Sequence, residues 1–492
     1  MTSTVTIRER NAHLLRRFAM GATLDELAFY EGKSLDEVLG HLLDFEREET
    51  AFPVSPYSFF LNADGNLNGQ PQRAVAWWTV NMCVTDRPAL DRLNLFWHDH
   101  FAVSAEKVKS GVIMLYHLET MRKHGHGKFR DLLGAMTVDP AMLVWLDGAQ
   151  NIKGTPNENY GRELLELFTM GEGKYTETDV LEASRALTGW GYRTLFVQGQ
   201  GNEENKRQIF GAALKGQQLV VPAFSKSLFD DGEKTILGKT ANFDTDSLLD
   251  LLCERDETVD YVTTKLWEFY AYDDPEEKVK RRLARVWKET DGDIKSLLVA
   301  IAASDEFWSD RCVRKRIKSP VDFVIAIVRQ LDRKEVWLAD REPDAPIDTP
   351  AGNTLISTGN ALNTFMSQQG MALLYPPDVA GWNWGEGWIT TATMLERIKL
   401  STLLTGPNSS NGTLDSLRES FAASGKEATA ESIVDHVIEK FDAEVDDERK
   451  ALIVVAFENA GGVSAMSDNA AAKRALTPVI TALFAMPEFH LC

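Results

Sequence analysis

Apolar residues recur at helical intervals along almost the whole chain, as in Leu14, Leu15 and Phe18 and then in Leu35, Val38, Leu39, Leu42 and Leu43. A stripe with a 3.6-residue period cannot line one face of a strand, so it is buried by laying helix against helix. Strand-like alternation is scarce, and the pattern predicts a mainly α, multi-helical globular assembly. The helical pattern breaks from Tyr192 to Lys239. There, Gln218 to Pro222 and Thr235 to Leu237 predict a mostly irregular or short-strand insertion near residues 192–239. Loops are expected over Ala63 to Gln70, over Asp340 to Asn353 and over Gly406 to Thr413. The last of these divides a main helical domain, 1–400, from a C-terminal helical segment, 401–492, packed on it.

With 492 residues, 44% of them hydrophobic, the chain has ample apolar surface for more than one core. Its 53 Lys and Arg against 73 Asp and Glu leave a formal charge of -20. That field repels phosphate backbones and argues against a nucleic-acid partner. Cys83, Cys253, Cys312 and Cys492 include no CxxC pair, so neither a disulfide framework nor a thiolate zinc site is indicated. Apolar runs such as Leu297 to Ala303 are too short to cross a bilayer, and no membrane insertion is expected. Arg8, Arg10, Arg16 and Arg17 precede no secretory-type apolar region, so the chain reads as soluble and cytoplasmic.

The segment richest in chemistry is a helix expected from about Pro156 to Met170. Thr155, Pro156 and Glu158 resemble a capping box, and Gly171 supplies the stop. At about 100° per residue, Asn159, Arg162, Glu163 and Glu166 fall on one stripe. Two carboxylates at i,i+3 offer a general acid and base or a pair of metal ligands, with Arg162 or Asn159 orienting a substrate. The alternative is a solvated face steadied by an Arg162–Glu166 pair. A second capping box, Thr176 to Asp179, opens the next helix, where Glu182 and Arg185 read as a surface pair.

His98 and His100 flank Asp99, but residues two apart on a helix point about 200° apart. They are candidate metal ligands only if the helix ends there, and otherwise one is a core histidine. Trp382, Trp384 and Trp388 among glycines offer an aromatic wall for a small molecule, glycan or peptide, or else pack under an irregular loop. Asp64 to Gly69 matches half of a calcium loop, but Val75 stands where the bidentate Glu belongs, so a plain turn is expected. No Walker loop, GxSxG or HExxH occurs.

The words Asn157 to Gly171 (NENYGRELLELFTMG), Leu187 to Trp190 (LTGW), Leu95 to Phe101 (LFWHDHF), Asp139 to Met142 (DPAM), Lys265 to Trp267 (KLW) and Pro376 to Trp382 (PPDVAGW) closely resemble a bacterial family called domain of unknown function 1800. The resemblance extends from about Leu14 to about Arg397 and resumes at Pro487 to Phe489. It implies a bacterial, mainly helical protein and carries no established activity. Members are often encoded beside a sulfatase-like exported protein, which the resemblance implies as a partner and which leaves export with that partner open. Phe229 stands before Asp230 where the family usually has His, and Phe168 occupies a position that is sometimes His.

Two functional expectations follow. One is a hydrolase, carboxylate-dependent or assisted by a divalent metal, with Glu163, Glu166 and Arg162 as catalytic groups beside His98 or His100. The other is a non-catalytic binding or accessory protein for the sulfatase-like partner, in which the polar stripe is a buried network and the tryptophan loop shapes a ligand surface.

Overall fold

In a computed structural model, the structure describes residues 6–52, 54–60, 68–194, 218–332, 350–405 and 414–492. Among them the chain is mainly α, with two small antiparallel strand pairs. Trp190–Thr194 pairs with Val220–Phe224, and Lys234–Ile236 pairs with Lys239–Ala241. Both lie where the helical period lapses. The calcium-like half-loop at 64–67, residues 340–349 of the proline-rich loop and the linker at 406–413 fall outside the described residues, whereas 350–353, expected as the end of that loop, open the Pro350–Gln368 helix because Pro350 is well placed at a first helical position.

The innermost helix is Pro88–His100, every residue of which is buried. Its periodicity is weak because it is covered on all sides, so its polar residues must find partners inside. Asp91 accepts hydrogen bonds from Trp78 Nε1 (3.0 Å) and Asn81 Nδ2 (2.9 Å) and pairs with Arg122. Arg92 pairs with Asp322 at the start of the Pro320–Gln330 helix. Pro71–Val84 packs beside this helix and is covered in turn by Pro350–Gln368.

The C-terminal helices close onto the first helix. Asp442 receives Arg16 (2.6 Å) and Arg314 (3.0 Å), and Leu491 bridges to Ile317. Buried apolar side chains from Ala12 to Phe489 join one cluster. Among the described residues no helix is long and apolar enough to cross a membrane.

Candidate functional site

The central helix begins two residues later than its sequence suggests. Asn157 is the cap, accepting from Asn159 N (3.0 Å), while its amide donates to Leu146 O (2.9 Å) and Asp147 O (3.0 Å). Thr155 instead bridges to Ile152, so the expected Thr155–Glu158 box does not form, because Asn157 satisfies both the helix end and the preceding turn. After Glu158–Leu165 the helix widens into a π turn, Glu166–Met170, and stops at Gly171 with φ 83°. Thr169 Oγ1 donates to Leu164 O (2.6 Å), filling the wider turn. Such π turns cost regular hydrogen bonding and are frequent at functional sites.

Glu163 and Glu166 on this segment are half-buried. Burial and the neighbouring Glu166 carboxylate push the Glu163 carboxyl above its ordinary value, against the pull of Arg162. Glu166 accepts the Tyr175 hydroxyl. Arg162 turns away from both and grips Glu177 through two bonds, 2.8 and 2.6 Å, so the Arg162–Glu166 pair expected on a solvated face is replaced. Asn159 is exposed one turn away. In the Thr176-capped helix, Arg185 ties Glu182 (2.7 Å) to Asp230 (2.9 Å), a half-buried knot rather than a surface pair.

His98 and His100 face different neighbours, as their spacing requires. His98 Nε2 accepts from Leu374 N (3.1 Å), and the ring lies edge-on to Trp78. His100 Nε2 lies 3.2 Å from the carbonyl of Phe168 in the π turn, to which it donates, since a carbonyl only accepts. Burial lowers both histidines, His98 to about 3, so both are neutral struts between helices. Among the described residues no group of three or more His, Cys, Asp or Glu is placed to hold an ion.

Asp99, between the two histidines, is the residue that reading from sequence passed over. Its Oδ1 accepts from Trp382 N (2.8 Å) and its Oδ2 from Trp384 Nε1 (2.7 Å). The tryptophan loop is therefore latched onto the innermost helix. Trp382 and Trp388 are buried, Trp384 is half-buried, and Trp384 packs edge-on to Trp388 and Phe269. The three do not present an open wall. Gly381 makes the latch possible, because its φ of 87° suits glycine and a Cβ there would collide with Asp99 Oδ1. Gly381→Ala is expected to cost roughly 1–3 kcal/mol, read as a lowered melting temperature with increased quenching of tryptophan fluorescence by acrylamide.

The Asp256–Tyr270 helix crosses the π turn and brings Tyr261, Lys265 and Glu268 at i, i+4 and i+7 on one face. That polar stripe is legible in the sequence once one looks for it. Burial and the Glu166 and Asp99 carboxylates push the Tyr261 phenol up to about 12, so this ring links the two acidic sides of the site. Lys265 is half-buried, with its Nζ 5.5 Å from the Tyr261 ring centroid, and among the described residues it makes no hydrogen bond or ion pair. Burial lowers it, while Asp99 and Glu268 pull the other way. Arg316 flanks this group, donating to Glu268 O (3.0 Å) with its guanidinium 5.0 Å from the Trp384 ring.

The arrangement thus offers a carboxyl inclined to hold a proton, a carboxylate held by a phenol, and a lysine that makes no hydrogen bond or ion pair among the described residues. A family model described as "Protein of unknown function (DUF1800)" matches residues 13–491. No curated protein and no solved structure matches the chain.

Proposed function

Because the chain belongs to this family of unknown function, we propose an activity from the chemistry of its own residues: a carboxylate-dependent hydrolase of a small polar ester or glycoside, centred on the π turn. The observation that carries this reading is Lys265, half-buried and without a hydrogen bond or ion pair among the described residues. A poorly solvated cation gains most from an anionic oxygen on a ligand. Glu163, raised by burial and by Glu166, gives its proton to the leaving-group oxygen as the bond from that oxygen to the reacting centre breaks. Glu166, positioned by Tyr175, takes the proton of the attacking water as the new bond to oxygen forms. Lys265 holds the anionic part of the substrate, and Asp99 fixes the tryptophan loop beside it.

The test is a screen of sulfate, phosphate and glycoside esters with wild type, Glu163→Gln, Glu166→Gln and Lys265→Met. Turnover falling about 10²-fold or more in Glu166→Gln, and KM rising in Lys265→Met, is the expected result. Equal turnover in wild type and both glutamine variants, or no turnover on any ester, overturns the proposal.

A second reading has its own support. Both Asp99 oxygens are satisfied within the protein and Arg162 is closed by Glu177. Such saturation suits a non-catalytic accessory protein for a sulfatase-like partner, in which these groups are scaffold. Co-purification with that partner, undiminished by Glu166→Gln, is the result this reading expects.

A further inference from the structure

A separate cleft of about 370 Å³ lies between the N-terminal helices, the end of the Pro71–Val84 helix and the C-terminal helices. Leu42, Val84, Pro88 and the exposed ring of Phe29 give it apolar walls. Phe29 packs edge-on to Tyr30 and lies tilted over His41 at 4.8 Å. Tyr30 Oη and His41 Nδ1 are 2.9 Å apart. Burial and Arg47 lower His41, so the ring is neutral at neutral pH. With Tyr30 donating to Nδ1, the proton of the imidazole sits on Nε2, which has no partner among the described residues.

The decisive group is Lys440, which ends the Ala430–Lys440 helix and lines the same cleft. It is only 8% exposed, yet among the described residues its ammonium has no hydrogen bond or ion pair. Among the described residues no carboxylate nearby pairs with it. Glu26 is held by Arg329 at 2.6 Å, Asp86 Oδ2 accepts the Thr50 hydroxyl at 2.6 Å while its Oδ1 has no hydrogen-bond partner among the described residues, and Asp25 and Asp332 are exposed. An apolar cleft whose wall carries an ammonium with no protein partner is suited to an anion with an apolar body.

We propose that this cleft binds a small amphiphilic carboxylate, its carboxylate on Lys440 Nζ and the His41 Nε2–H, its apolar body against Phe29, Leu42, Val84 and Pro88. The site is independent of the π turn, and its occupancy does not depend on hydrolysis there.

Isothermal titration of the full chain with phenylacetate, 2-phenylethanol and 2-phenylethylamine tests it. Phenylacetate is expected to bind about tenfold or more tighter than the alcohol, with the amine weakest. Lys440→Met is expected to weaken phenylacetate about 10- to 100-fold and leave the alcohol unchanged. Phe29→Ala, at an exposed position that tolerates truncation, weakens both. Phenylacetate failing to bind, the three probes binding alike, or Lys440→Met and Phe29→Ala both leaving phenylacetate affinity intact overturns the proposal.

Discussion

Acidification from about pH 6.5 to about pH 4.5 is expected to unfold the protein cooperatively. His13, His98, His100 and His490 are all buried, and burial lowers each below the ordinary 6.5, His98 and His490 to about 3. Positive neighbours add to this: Arg16 and Arg17 at His13, Lys265 at His100, Arg397 at His490. The sign follows from linkage. Below 6.5 the unfolded chain binds protons that the folded chain refuses, so the stability these rings confer is present in full above 6.5. It is lost as pH falls from there toward the folded values. Each ring contributes roughly 1.4 kcal/mol per pH unit in that window, so four together cost roughly 5 kcal/mol per unit, offset in part by Glu119, which burial raises to about 7, and by the raised Glu163, both of which favour the folded state as pH falls. A domain's whole stability is roughly 5–15 kcal/mol. The acid-lowered Asp442, paired with Arg16 and Arg314, gives way only at lower pH. Far-ultraviolet circular dichroism and tryptophan fluorescence followed against pH check the prediction, and native signals retained at about pH 4 contradict it.

Asp322→Ala is expected to destabilise the fold by roughly 3–5 kcal/mol, because it strands a charge rather than a contact. Arg92 is fully buried, its Nη1 meets Asp322, and its Nε and Nη2 have no hydrogen-bond partner among the described residues. The face of Phe269 lies 4.3 Å from its guanidinium. Asp322 also completes the cap of its own helix, accepting from Ser319 N at 3.0 Å. Urea midpoints measure the loss. The informative control is the double variant Arg92→Met with Asp322→Leu, which removes both charges and is expected to recover most of it. If the single and double variants are equally unstable, shape rather than charge holds this junction.

The helical architecture was legible because a 3.6-residue apolar period is a local property. Thr176 with Asp179 formed the expected cap, Gly171 stopped its helix, and the strand pairs fell where the period lapsed. The start of the central helix was misplaced because Thr155 and Asn157 are both good caps, and the choice between them depends on the Leu146 and Asp147 carbonyls. Glu163 and Glu166 were legible as a stripe. Their surroundings were not, since Tyr175, Tyr261 and Lys265 come from other elements of the chain.

Sequence alone therefore determined the class of fold, the positions of most turns, and which short segments carry polar chemistry. Packing decided the rest: that His98 and His100 are neutral struts, that Asp99 latches a loop nearly 300 residues away in the chain, with Trp382 283 residues on, and that Lys265 and Lys440 make no hydrogen bond or ion pair among the described residues. The physical reason is that periodicity and capping act over one or two turns. Solvation and electrostatic pairing, by contrast, depend on which distant segments share a volume, and they set the protonation and availability of every group on which function rests.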